Sequence, residues 1–298
     1  MSAEEPRWAL AVHGGAKTIE PCEEKANRAG CLAALAAARA VLAHGGGALD
    51  AVEQAVRALE DDPTFNAGRG SELNSAGEVE MCAAIMSGRD LAVGAVAVIQ
   101  QVRHPVSVAR RLLPENWILL AGEGALAYAR EQGAELCSPA ELVAAAPRPA
   151  AEAHDTVGAV ALDLHGDLAA ATSTGGLEGA PPGRVADSSL PGCGYYANNH
   201  VGALALSGDG ESIARCATAS QVMRDLLADG PDAALEKALA RLTHLGGDGG
   251  GIAIDRNGRI GWWHNSPHFA VAIASSDAPE GQAWLSLTEK RTRRREAA

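Results

Sequence analysis

The chain has 298 residues, 47% of them hydrophobic but only 3% aromatic, so Ala, Val and Leu must fill a large core. A net charge of −12 argues against nucleic acid or anionic membrane as partner, and no apolar stretch is long enough to span a bilayer. Residues 1–5 do not read as a signal peptide, and six cysteines without C-x-x-C spacing read as free thiols of a cytoplasmic protein. In chain order, 8–12 predicts a strand entering a glycine turn at Gly14-Gly15. The Ala-rich run 23–42 predicts a helix, and 48–59 a second one after the break at Gly45-Gly46-Gly47. Residues 79–86 and 92–99 predict paired strands across Gly88-Arg89-Asp90, and 105–113 and 123–132 predict helices. The Ala- and Pro-rich stretch 144–153 has no amphipathic period and reads as a linker. Strands at 157–163, 168–172 and 201–206 follow, then helices at 211–228 and 232–243. A cluster of glycines (246, 247, 249–251) precedes strands at 252–255, 260–264 and 269–274. The basic end, 290–295, predicts a frayed, solvated tail. Strands grouped between helical pairs predict an α/β fold with two sheets packed face to face and helices outside.

One residue stands out by its context. Thr156 follows Asp155 at the head of an apolar run, directly after the linker. That layout suits a chain that cuts itself before a threonine and then uses the new N-terminal residue as nucleophile. A free α-amine has a pKa of about 8, so it can take the proton from its own residue's hydroxyl. The turn His165-Gly166-Asp167 suits a hairpin between 157–163 and 168–172. Such a hairpin brings the hydroxyls of Thr172, Ser173 and Thr174 beside Thr156. Three further motifs follow: Gly183-Arg184-Val185-Ala186-Asp187-Ser188, Pro191-Gly192-Cys193-Gly194 and Leu206-Ser207-Gly208-Asp209-Gly210. Each alone reads as a surface loop.

Jointly and in this order, they resemble the plant-type asparaginase and isoaspartyl peptidase family of N-terminal nucleophile hydrolases. Val12-His13-Gly14-Gly15-Ala16, Asn66-Ala67-Gly68 and the glycines around Gly249 extend the resemblance over nearly the whole chain except its tail. It implies a four-layer αββα sandwich, one domain over 1–298 that is cut into an α part, 1–155, and a β part, 156–298. It also implies a dimer of such αβ pairs. By resemblance Thr156 is the nucleophile, Thr174 supports it, and the Ser207 hydroxyl with the Gly208 N–H receives the oxyanion. Arg184 suits the substrate α-carboxylate as a guanidinium fork, Asp187 suits the α-ammonium, and Gly210 allows close approach. Thr172 ranks below Thr174, and Asn66 is placed near Thr156 as a substrate contact. No cofactor is required. A structural sodium ion held by backbone carbonyls of Leu59, Glu60, Asp62, Phe65, Ala67 and Arg69 is implied by resemblance alone.

The expected activity is hydrolysis of L-asparagine and of β-aspartyl dipeptides. Arg184 with Asp187 separates this from a threonine-aspartase-like activity, whose substrates lack a free α-amine; a glycosylasparaginase-like hydrolase is the other neighbouring reading. Several positions depart from the family pattern: Asp155 for Gly, Lys17 for Gly, Cys82 for Asp and Ser207 for Thr. A left-handed backbone at position 17 would be strained by lysine. A reading from another class, a nucleotide-binding loop at Gly14-Gly15-Ala16-Lys17-Thr18, fails on the Walker spacing. An unprocessed relative acting as a ligand-binding protein stays open.

Overall fold

The computed structural model describes residues 7–143 and 156–296, with side chains described up to residue 292. Asp155 and the linker 144–153 therefore lie outside the described residues. The first half begins with strand β1 (Ala9–Lys17), followed by helices α1 (Glu24–Ala43) and α2 (Ala48–Asp61). Next come β2 (Met81–Ser87), β3 (Val93–Ile99), α3 (Pro105–Arg111), β4 (Leu119–Ala121), α4 (Gly122–Glu131) and α5 (Pro139–Leu142). The second half starts with the hairpin of β5 (Val157–Leu162) and β6 (Leu168–Thr174), then β7 (Tyr195–Asn198) and β8 (Gly202–Gly208). Helices α6 (Gly210–Cys216), α7 (Thr218–Asp229) and α8 (Pro231–Thr243) follow. The chain closes with β9 (Gly249–Asp255), β10 (Ile260–His264), β11 (His268–Ser275), β12 (Ala278–Trp284) and α9 (Leu287–Glu296).

Eight strands form one sheet in the order β12-β11-β1-β5-β6-β2-β3-β4, and four form a second in the order β10-β9-β8-β7. Alternation along the strands sorts side chains between three apolar layers. In β5, Val157, Ala159 and Ala161 join α1, α2 and α3 in one cluster, while Val160 and Leu162 join β8 and β9 in another. In β8, Ala203 and Ala205 face the large sheet, and Leu204 and Leu206 pack under α7 and α8. The result is helix, sheet, sheet, helix, an αββα sandwich. Its inter-sheet layer is rich in alanine, which suits two sheets lying close together.

Several elements differ from expectation. The predicted turn at Gly14-Gly15 is instead the continuation of β1, with a register shift between His13 and Ala16 where the strand pairs with β11. Glycine serves packing there, since a Cβ on Gly14 would lie 2.3 Å from the Phe65 ring. Lys17 is not among the non-glycine residues with positive φ, so it carries no left-handed strain. The glycines 249–251 likewise belong to β9 rather than to a loop. A Cβ on Gly250 would lie 2.5 Å from the ring of Phe269, and one on Gly251 2.5 Å from Leu206. The single helix expected over 211–228 is broken at Ala217, whose φ of 47° ends α6 and starts α7. The expected frayed tail is helix α9. Lys290 docks it by donating to Asp232 (2.7 Å) and to the Trp262 carbonyl (2.9 Å).

Candidate active site

The β5–β6 hairpin sets the site. Asp163, in its turn, accepts N–H groups from His165 and Asp167 and also from Ala48 at the start of α2 (2.8 Å), locking the hairpin to the helical layer. Antiparallel pairing places Val157 opposite Ser173, so Thr156 is level with Thr174. On the far side of β6, Cys82 of β2 pairs with Thr174. Cross-strand neighbours point to the same face. Thr156, Thr174 and Cys82 thus form a row at one end of the inter-sheet layer, each 7% exposed or less. Burial pushes the Cys82 thiol up from its ordinary pKa.

Ser207 reaches this row from β8 of the facing sheet. Its fully buried Oγ accepts the Thr156 N–H at 3.1 Å and the Ala16 N–H at 3.0 Å. A hydroxyl can accept two hydrogen bonds and donate a third. Gly208 follows with φ +145°, and a Cβ there would lie 2.3 Å from the Asp248 carbonyl oxygen. Thr174 Oγ1 accepts the Gly176 N–H in a long bond of 3.4 Å, whereas Thr172 donates to the Ser188 carbonyl at 2.6 Å. Of the two threonines, Thr174 is the one level with Thr156. His13, which sequence reasoning did not single out, is fully buried against Phe269, with a ring separation of 5.2 Å. Both its ring nitrogens lack a hydrogen-bond partner among the described residues. Burial lowers its pKa to about 3, with the Thr156 backbone acting in the opposite direction, so the ring is neutral at working pH.

A second cluster lies beyond β6. A Cβ on Gly210 would lie 2.6 Å from Asp187 Oδ1, 2.8 Å from Ala186 Cβ and 3.5 Å from Arg184 Nη2, so these residues meet at the start of α6. Asp187 is 3% exposed, and its Oδ2 has no hydrogen-bond partner among the described residues. Burial raises its pKa to about 7, against the opposing charge of Arg184. The Arg184 guanidinium is held in a fork by Glu211, at 2.8 Å and 2.6 Å. Burial works to lower the Arg184 pKa, but the bonds and charge of Glu211 outweigh it. Glu211 was missed from sequence, although it adjoins Gly210; a glutamate in a helix's first turn usually reads as a dipole partner.

Asn66 is fully buried and engaged on both ends of its amide. It donates to the Gly176 carbonyl at 2.8 Å and accepts the Glu72 N–H at 3.1 Å. It therefore braces the turn that follows Thr174. Glu60, considered from sequence only for its carbonyl, has a fully buried carboxylate on the opposite face of β6. That group accepts from Ser173 (2.7 Å) and Val106 N–H (3.1 Å) and faces His104 at 3.3 Å. Its pKa is raised by burial, which the His104 and Ser173 contacts temper. The loop 59–69 closes on itself, with Leu59, Glu60 and Asp62 carbonyls accepting N–H groups from Asp62, Arg69 and Phe65.

The sequence model of the asparaginase family matches residues 6–150 and 140–280, which together take in most of the chain. The chain belongs to the asparaginase family. Among its relatives, this asparaginase-family chain is 39% identical over 266 residues to an isoaspartyl peptidase/L-asparaginase of Xenopus laevis, covering 84% of this chain and 86% of that protein. It is 38% identical over 286 residues to a Bos taurus protein of the same name, with 88% and 92% covered. A probable isoaspartyl peptidase/L-asparaginase of Drosophila melanogaster is 36% identical over 295 residues, with 86% and 89% covered. The asparaginase-family fold agrees with the two-sheet sandwich described above. Among the described residues, no helix is long and apolar enough to cross a membrane.

Proposed function

We propose that this chain is a threonine-nucleophile amidohydrolase that cuts itself between Asp155 and Thr156 and then hydrolyses L-asparagine and β-aspartyl dipeptides. The observation that carries this reading is the position of Thr156: level with Thr174, and one hydrogen bond from Ser207 on the facing sheet. In maturation, Thr156 Oγ attacks the Asp155 carbonyl, the peptide C–N bond breaks as the Thr156 nitrogen takes the hydroxyl proton, and water hydrolyses the resulting ester to leave a free amine. In turnover, the freed amine takes the proton from Oγ as Oγ attacks the substrate's side-chain carbonyl carbon. The oxyanion is met by the Ser207 hydroxyl and the Gly208 N–H, and the neutral imidazole of His13 keeps positive charge away from the amine. The C–N bond breaks, the leaving nitrogen takes the proton from the amine, and water then resolves the aspartyl ester. Arg184 and Asp187 hold the substrate's α-carboxylate and α-ammonium, and Glu211 yields its place on the Arg184 fork to the substrate.

A structural sodium ion in the 59–69 loop is part of this proposal. Three of the six carbonyls already accept an N–H, which folds the loop, and a carbonyl has a second lone pair for a cation. Such an ion would stiffen the Asn66 brace, and no catalytic step runs through it. A cytoplasmic dimer of αβ pairs is the assembly proposed. The test is a denaturing gel with N-terminal sequencing. The active enzyme yields two fragments of the 30.4 kDa chain, one beginning Thr156-Val157-Gly158. Thr156→Ala stays intact and releases no ammonia from L-asparagine. An intact wild-type chain after long incubation, or a fragment starting elsewhere, overturns the reading.

A further inference from the structure

Thr156 heads β5, whose neighbours in the sheet are β6 on one side and β1 on the other. The groups proposed for the aspartyl half of the substrate lie on the β6 side. Beyond Thr174, Gly175, Gly176 and Arg184 line one shared recess there. The β1 side has a cavity of its own. Ala16 of β1 donates its N–H to Ser207 Oγ, the atom that also accepts from Thr156, and the next residue is Lys17. Ala16, Lys17, Asp209, Gly247 and Asp248 are among the residues lining a cavity of about 260 Å³. That volume is below the range of drug-sized pockets, roughly 300–1,000 Å³, and suits a group the size of one amino acid. Lys17 Nζ is held at 3.4 Å from the Thr64 carbonyl and 5.6 Å from the centre of the Phe65 ring. These contacts place the ammonium beside Thr64 and Phe65 and do not themselves neutralise it.

The chemistry of the two candidate substrates differs on this side. A β-aspartyl dipeptide carries two carboxylates, one on each side of the scissile amide, whereas L-asparagine carries only the one on the aspartyl side. Arg184 lines the recess beyond Thr174, and Lys17 stands on β1, the other neighbour of β5. We propose that Lys17 is a specificity-determining residue: it meets the carboxylate of the leaving amino acid and so favours β-aspartyl dipeptides over L-asparagine. The aspartates of the cavity fit the same ligand. Asp209 caps α6 through the Ser212 N–H and hydroxyl, at 3.2 Å and 2.8 Å, and Asp248 accepts the Asp209 N–H on its carbonyl. The two aspartates suit the zwitterion that forms when the C–N bond breaks and the leaving amine gains protons.

This inference rests on the amidohydrolase reading and adds to it the recognition of the leaving half. The experiment compares kcat/KM for β-Asp-Leu, for its C-terminal amide and for L-asparagine, on the matured wild type, Lys17→Met and Lys17→Arg. For the wild type, amidation of the dipeptide lowers kcat/KM about tenfold, the worth of one charged hydrogen bond. In Lys17→Met, the ratio of β-Asp-Leu to L-asparagine falls about tenfold and the penalty for amidation disappears; Lys17→Arg restores both. Equal wild-type rates on acid and amide, a comparison that needs no variant, overturn the role of Lys17 while leaving the hydrolase reading standing. So does an unchanged substrate ratio in Lys17→Met. A wild type that hydrolyses none of the three overturns the hydrolase reading and this inference with it.

Discussion

Replacing Asp187 by Asn tests its proposed role in substrate recognition through the pH dependence of the reaction. The carboxylate is buried, with Oδ2 unpartnered among the described residues, and burial raises its pKa to about 7. A raised acid pKa means that the neutral form dominates below pH 7, and a neutral acid cannot neutralise the substrate ammonium. At pH 5.5, about 1.5 units below that value, roughly one molecule in thirty carries the charged form. The Thr156 amine of the mature enzyme must also be unprotonated to act as base, with an ordinary pKa of about 8. On the acid side kcat/KM therefore falls with two protons in the wild type and with one in Asp187→Asn, whose plateau lies at least tenfold lower. The same shift affects stability. Because the folded pKa exceeds the unfolded one, the contribution of Asp187 is favourable below about pH 4 and is lost as pH rises through 7. A shift of about three units corresponds to at most roughly 4 kcal/mol, so Asp187→Asn gains stability relative to wild type at pH 8 and not at pH 4. The assay is ammonia release from L-asparagine between pH 5 and 9, with thermal unfolding at pH 4 and pH 8. Identical acid slopes in the two proteins would refute the argument.

Three further outcomes follow from the geometry. Ser207→Ala lowers kcat by roughly 10²-fold or more while Ser207→Thr keeps activity, measured by steady-state kinetics on matured protein. Glu211→Gln loosens the fork on Arg184 and lowers KM for L-asparagine about threefold, a modest change because Glu211 is half exposed. Gly158→Ala places a Cβ 2.4 Å from His13 Nε2 and 2.9 Å from Ala205 Cβ, so the overpacked strand loses about 1–3 kcal/mol, read as a lower Tm.

Much of the fold was legible because its signals are local. The hairpin turn at 165–167 placed the hydroxyls of 172–174 beside Thr156, and the observed register shows that Thr174 is the one level with it. Helices α1 and α2 followed from their Ala-rich period and the glycine break between them. The elements that escaped are those whose reason is tertiary. Strand β12 is a polar edge strand, Ala-Pro-Glu-Gly-Gln-Ala-Trp, with no apolar alternation to mark it. The glycines that begin β9 read as loop because the Phe269 and Leu206 side chains that require them are distant in sequence. Basic residues hid α9, since its attachment depends on Asp232 and Trp262. At the site, sequence indicated Arg184 and Asp187 but not Glu211 in the fork, nor the buried Glu60 carboxylate behind Ser173. Both depend on which face a side chain takes, and spacing alone does not give that.

The strand order has a consequence for the separability of the two halves. Within the large sheet, β1 from the first half lies between β11 and β5, both from the second, while β6 of the second half borders β2 of the first. The halves are therefore paired at three seams of the large sheet, β11 with β1, β1 with β5 and β6 with β2, and only the four-stranded sheet belongs to one half alone. A break before Thr156 removes one covalent link and no ladder bond. Fragments produced by the proposed cut would be held like interlocked fingers, and they should separate only when the whole sandwich melts. Either half expressed alone should be an insoluble or unfolded chain, and mixing denatured halves should restore the fold only by joint refolding.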